Sequence, residues 1–367
     1  MFGTNWNRIL ILAMMAAFAA GCETGTEPEE QVTFDAEAAL EDHEALDLIL
    51  QSNAMAGFRA LGGGISFQGI SPEMDLALRI GTELGDPTEA PRARALAGRI
   101  FSAASGLGVG PLNNPIISVF RRGKTFVYDP DLGRYVMDED LEGAPATGVR
   151  LILYQPGEGG KPDPSAEIGY ADLIDEGDNS AEEIALRLLV VEGTDTVLDY
   201  HTTLDVLSNG GKITVDGYLQ GEYDRLDFDI QVGGSVSGQE NTMDIDFEMG
   251  IASRAFLITG SVSGVENESG SGGDVDLLVR HGTDSFQVDA SGFDDSIDGV
   301  FYLNGDLFAM VTGHPEAPTF TGASGSPLTW VEMLVLRQIL DSTEDVFDFW
   351  EDLLDPVDEL VLLAIIL

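Results

Sequence analysis

The chain has 367 residues, 44% of them apolar. That is enough to bury a sizeable core, which excludes a wholly disordered protein. Its 64 acidic residues against 18 basic ones give a net charge of -46, a surface that repels nucleic acid and anionic lipid headgroups and favours cations and basic partners. One cysteine excludes an intrachain disulfide, and 44 glycines with 15 prolines suit a β protein with many turns.

At the N-terminus Arg8 precedes an apolar run over 9–20. The run is shorter than the ~20 residues a spanning helix needs and matches the apolar region of a secretory signal. It ends Ala19-Ala20-Gly21-Cys22, with the chain's single cysteine in last place. These residues resemble the lipobox of bacterial lipoprotein precursors, although Ala19 stands where many lipoboxes carry Leu. The resemblance covers residues 1–22. It implies cleavage before Cys22, diacylation of its sulfur and a membrane-anchored mature protein. Two or three acyl chains hold stably where one does not. The other reading is an ordinary secretory signal cut at Ala17-Phe18-Ala19, leaving Cys22 a free thiol. Glu23 follows the cysteine; by the family's sorting rules this favours the outer membrane over the inner. Residues 23–34 are acidic and read as a solvated tether.

Residues 35–110 read as helical. Leu40, Leu46, Ile49 and Leu50 fall near one face, and Gly62-Gly63-Gly64 ends the first helix. Ser71-Pro72 starts a second helix and 90–104 is a third. From residue 116 the period becomes two, and 111–325 reads as an antiparallel β domain. Strands at 125–128 and 134–137 flank the turn Asp129-Pro130-Asp131-Leu132-Gly133. Residues 149–154 form a strand, 155–165 a Gly/Pro-rich loop, and 184–191 a buried strand. From Val197 onward the alternation is clean, and the short turns predict a meander. Residues 234–241 recur as 260–267, an offset that predicts a repeated hairpin. Residues 326–367 return to helical period. Ser326-Pro327 starts one helix, Asp341-Ser342-Thr343 caps another, and 360–367 is apolar on every side. The fold expected is α+β: a long antiparallel β-meander forming a curved sheet or open half-barrel, with N-terminal and C-terminal helices packed on it.

Candidate chemistry is sparse. Asp227, Asp229, Asp244, Asp246 and Glu248 line the polar side of neighbouring strands, where like charges call for screening salt or bound Ca2+ and other cations. Asp129, Asp131 and Gly133 resemble a calcium loop without its spacing, and Asp294, Asp295 and Asp298 form another acidic turn. His43 sits among acids, while His281 and His314 sit in turns. His201 shares a strand face with Asp199, Thr203 and Asp205, a row that offers metal ligands, yet residues two apart stand ~7 Å from one another. The one net-positive zone holds Arg79, Arg92, Arg94, Arg99, Arg121, Arg122 and Lys124. It suits docking on the chain's own acidic sheet or contact with a phospholipid or anionic ligand. No Cys nucleophile, Walker motif, H-E-x-x-H or serine-triad signature appears. Cys22 is therefore the one assigned site, and neither catalytic residue, metal nor cofactor is expected. The chain reads as a lipid-anchored envelope protein, non-catalytic, that faces the periplasm or cell surface and binds an apolar ligand or a partner protein. The alternatives are a structural or assembly lipoprotein with a filled core, a transmembrane barrel, and a metal-dependent hydrolase.

Overall fold

A computed structural model describes residues 116–157, 161–177, 183–207, 209–294, 296–315 and 317–337, together with Ala45, Ile49, Ile339 and Leu353. Cys22, the tether, the tail 360–367 and most of the predicted N-terminal helical block lie outside the described residues.

Fifteen strands form one mixed sheet: β1 (Lys124–Asp129), β2 (Arg134–Asp138), β3 (Gly148–Pro156), β4 (Pro162–Asp175), β5 (Glu183–Glu192), β6 (Asp195–Leu207), β7 (Gly210–Gln220), β8 (Arg225–Ser237), β9 (Glu240–Ile251), β10 (Phe256–Asn267), β11 (Gly270–His281), β12 (Asp284–Phe293), β13 (Ser296–Leu303), β14 (Asp306–His314) and β15 (Ala317–Gly322). The order runs from β15 down to β3, then β1 and β2. The sheet is not closed: β15 and β2 end the order. From β3 to β15 every strand neighbours its successor, as the short turns predict. Among the pairings described, β1 departs from the antiparallel pattern: it folds back on β2 as the expected hairpin and then lies parallel to β3.

Most of the sheet was legible as alternation, but β4 was not. The segment read as a loop over 155–165 belongs in part to this 14-residue strand. Pro162 and Pro164 mask its start, and its pairing with β3 slips at Leu153, Tyr154 and Pro156. The predicted repeat also falls out of register. Residues 234–241 span the end of β8, its turn and the start of β9, whereas 260–267 lie wholly within β10. The likeness is in sequence and does not mark equivalent hairpins.

The described residues fall into two compact units: 116–229 with Ile49 and Leu353, and 230–337 with Ala45 and Ile339. In the first, Leu151, Leu173, Leu188, Val190, Val215 and Leu219 build a buried apolar face. Ile49 and Leu353, both in helical conformation, belong to this unit and are buried. The Tyr200 hydroxyl donates to the Leu353 carbonyl at 2.7 Å. A Cβ placed on Gly221 would come within 2.9 Å of Ile49 Cγ1, so the helical side chain occupies the space the glycine leaves. Gly217 has φ +148°, and a Cβ there would strike the Asp199 carbonyl oxygen. That glycine serves close backbone approach between β6 and β7.

In the second unit the buried face holds Phe247, Met249, Ile258, Val262, Leu277, Val288 and Phe301. Gly260 lies directly opposite Phe247, and a Cβ on it would overlap the tip of the phenyl ring. The glycine is the seat of a neighbouring ring. The helix expected from Ser326-Pro327 begins slightly later, as α1 (330–337). Thr329 and Glu332 cap it reciprocally: the Thr329 hydroxyl accepts the Glu332 N–H at 3.3 Å and the Glu332 carboxylate accepts the Thr329 N–H at 2.6 Å. Pro327 instead makes an isolated bridge to Thr321.

Candidate functional site

The most ordered polar arrangement is on the first unit, where four arginines pair with carboxylates, two of them across neighbouring strands. Arg150 of β3 stands opposite Asp172 of β4. Its guanidinium donates to both carboxylate oxygens at 2.7 Å and lies over the Tyr170 ring, 3.6 Å from its centroid. Arg187 of β5 reaches diagonally to Asp199 of β6, again with two hydrogen bonds of 2.7 Å. Arg122 donates to Asp175 at 2.6 Å and to the Ile117 carbonyl at 3.1 Å. Arg225 pairs with Asp227 and covers the Tyr218 ring at 3.8 Å. The forked pairs have the geometry that gives arginine its selectivity for carboxylates.

His201 sits at the centre of this face. It stands opposite Arg187 on one side and Asp216 on the other. Its Nε2 is 3.2 Å from Asp199 and its Nδ1 is 3.2 Å from Glu176. The row Asp199–His201 was legible as one strand face; Arg187, Glu176 and Asp216 were not. The available signal was the lone arginine in the apolar run 184–191, which demands a carboxylate opposite. Burial alone would raise the Asp199 carboxyl, but the hydrogen bonds and charge of Arg187, aided by His201, hold it below the ordinary carboxylate range. Asp216 is pushed the other way. Burial raises it, and Asp229, Asp199 and Glu176 add to this against the opposing pull of His201.

A carboxylate clamped by arginine and held low is a weak general base. The arrangement is suited to joining strands. Among the described residues, no three His, Cys, Asp or Glu side chains converge as a metal-binding set.

The other sequence candidates are separated. The Asp129 carboxylate accepts the N–H groups of Asp131 and Leu132 at 2.9 and 3.1 Å, and Gly133 adopts φ +65°. Its oxygen therefore organises the hairpin turn. Asp294 accepts the Ser271 N–H at 3.0 Å, and Asp295 lies outside the described residues. The acids of β9 do not face another acidic strand on the β10 side. A cross-strand row runs Asp244, Ser263, Asp274, Ser291, Asp298, Thr312, Thr319 from β9 to β15. Hydroxyl residues between the acids keep successive carboxylates two strands apart, about 9–10 Å. The next row lacks one spacer: Asp276 lies directly opposite Asp289. Burial and then the charge of Asp289 raise the Asp276 carboxyl. Among the other cations and histidines, Arg79, Arg92, Arg94, Arg99 and His43 lie outside the described residues, while His281 and His314 end β11 and β14.

Compared with known protein families, curated proteins and solved structures, the chain matches none. No helix among the described residues is long and apolar enough to cross a membrane.

Proposed function

We propose that the chain is a lipid-anchored protein of the bacterial cell envelope, held through acylated Cys22, whose large sheet is a non-catalytic scaffold for a partner protein. In this reading the sheet curves, its concave apolar face is filled by the chain's own helices and side chains, and cations screen its acidic faces. The outer membrane is the favoured site. Anchoring is supported by the resemblance of residues 1–22 to a lipobox and by the position of the single cysteine.

The observation that favours a filled scaffold over a ligand carrier is the occupancy of its two glycine gaps. Ile49 lies against Gly221 and the Phe247 ring lies over Gly260. An acyl chain seated there would have to displace these side chains. The polar face supports the same reading, because its arginines and carboxylates are engaged with one another.

Native mass spectrometry of the purified mature protein tests the reading. The expected mass is the chain from Cys22 onward plus its covalent acyl groups. A stoichiometric, releasable lipid would overturn the filled scaffold and restore the carrier. Cys22→Ser tests the anchor separately. The variant should leave the membrane fraction on carbonate washing, and persistence there would defeat anchoring by acylation.

A further inference from the structure

We propose that the edge strand β2 pairs with β2 of a second copy of this chain, antiparallel about Val136, and that the protein is a two-fold dimer in solution. The inference goes beyond the reading above and does not depend on acylation of Cys22. β2 ends the sheet, and among the described residues no strand pairs with its outer side. An open edge offers unpaired N–H and C=O groups to another chain. The opposite end is blunted, because β15 contains Pro318 and Pro327 bridges to Thr321. β2 reads Arg-Tyr-Val-Met-Asp, with neither proline nor lysine.

The charges at its two ends identify the occupant. Arg134 begins β2 and Asp138 ends it, with Val136 midway. Two copies laid antiparallel set each Arg134 opposite the other's Asp138, on one face of the sheet. A parallel pairing would set like charges opposite one another. Within one copy neither group has a charged partner. Arg122, Arg150, Arg187 and Arg225 each meet a carboxylate. Arg134 is in no ion pair among the described residues, and its Nε is buried without a hydrogen-bond partner. Asp129 stands directly opposite it on β1, but that carboxylate accepts the Asp131 and Leu132 N–H groups in the turn. Asp138 accepts the Asp140 N–H through one oxygen and is likewise in no ion pair among the described residues. A guanidinium whose Nε has lost water gains from a carboxylate set in front of it.

Apolar side chains border the same edge. Met137 lies opposite Phe126, which is buried, yet Met137 is 42% exposed. In the dimer it falls beside Tyr135 of the other copy, and the apolar face continues across the axis. Leu132 and Leu141, on either side of β2, are 55% and 43% exposed. The net charge of -46 opposes self-association, but the chain is least acidic here. Over 116–138 the cations Arg121, Arg122, Lys124 and Arg134 outnumber the acids Asp129, Asp131 and Asp138.

Sedimentation of the chain from residue 22 onward tests the pairing, with Cys22→Ser to exclude acyl chains and detergent. The salt is about 0.15 M, where the screening length is about 8 Å. The edge left intact should give a dimer. Arg134→Asp and Asp138→Arg should each weaken self-association by roughly tenfold or more, since each sets like charges opposite one another twice per dimer. Mixed in equal amounts, the two variants should dimerise again, because every contact is then a complementary pair. A monomer at the highest soluble concentration overturns the proposal. So does a dimer that both substitutions leave intact, or a mixture that stays monomeric. Val136→Cys on the same Cys22→Ser protein covers the case in which a charge variant fails to fold. Val136 faces its own copy across the axis, so mild oxidation should yield a disulfide-linked dimer, and a thiol that stays monomeric rejects the pairing.

Discussion

Arg187 and Asp199 share two hydrogen bonds of 2.7 Å across adjacent strands, and the pair holds one corner of a polar sheet face that also contains His201, Glu176 and Asp216. Removing the arginine takes both of these hydrogen bonds from a half-buried carboxylate. Arg187→Met should therefore cost about 2 kcal/mol of stability at pH 7. Arg187→Lys should recover only part of this, since a lysine cannot fork. The folded Asp199 carboxyl lies below its ordinary value, with Arg187 and His201 overcoming the opposing effect of burial. Its contribution is thus present above the unfolded value of about 3.9 and is lost as pH falls through the lower folded value. Urea titrations from pH 7 down to strongly acid should show wild type and Arg187→Met converging. A gap that stays constant with pH would refute the clamp.

The directly opposed Asp276 and Asp289 predict the reverse sign. Asp276 is raised by burial and by Asp289. A carboxyl raised in the fold costs stability as pH climbs past its ordinary value and through the raised one. Asp289→Asn should stabilise the protein at pH 7 by roughly 0.5 kcal/mol. The gain should vanish once both carboxyls are protonated and should shrink in 1 M salt, where the screening length falls to about 3 Å. Thermal melts should also rise with monovalent salt for the wild type. Specific cation sites would add a saturable rise at low calcium on a fixed salt background. A melting temperature indifferent to salt and calcium would contradict the electrostatic account of the acidic rows.

Phe247 and Gly260 form a matched pair, ring over glycine. Phe247→Ala should cost about 3–5 kcal/mol through lost burial and the cavity left behind. Gly260→Val should cost about 1–3 kcal/mol by forcing the ring away. The double variant should cost less than the two single changes added together, because the new methyl groups enter the space the ring has left. Chemical denaturation of the four proteins measures the coupling, and strict additivity would show that the glycine has another role.

The strands β8 and β9 were legible because their sequence alternates: Leu226, Phe228 and Ile230 with Asp227 and Asp229, then Ile245 and Phe247 with Asp244 and Asp246. β4 was illegible for physical reasons. Its buried positions include Asp172 and Asp175, which hydropathy assigns to the surface, and its start carries two prolines. The two acids tolerate burial because Arg150 and Arg122 meet them, and those partners lie 22 and 53 residues away. The His201 face was half legible for the same reason. Alternation places Asp199 beside His201 on one strand, but only the register brings Arg187 and Asp216 to its flanks. The roles of Gly221 and Gly260 likewise needed tertiary structure, since sequence marks a gap without naming what fills it.

Tyr200 and Thr202, two residues apart on the apolar side of β6, should respond oppositely to the loss of a hydroxyl. Both are 2% exposed. The Tyr200 hydroxyl donates to the Leu353 carbonyl. Leu353 is helical and 2% exposed. The tyrosine thus satisfies the carbonyl of a buried residue. Tyr200→Phe should cost about 1 kcal/mol, with an added penalty for the abandoned carbonyl. The Thr202 hydroxyl is buried without a hydrogen-bond partner. Replacing it by a methyl group of nearly the same shape removes a desolvation cost, so Thr202→Val should stabilise the protein by about 1 kcal/mol. Equilibrium unfolding of both variants measures the two effects in one experiment. Tyr200→Phe should also speed hydrogen exchange around residue 353, which Thr202→Val should leave unchanged. Destabilisation by both substitutions would mean that Thr202 has a partner, such as a buried water, and unchanged exchange in Tyr200→Phe would mean that Leu353 is held by packing alone.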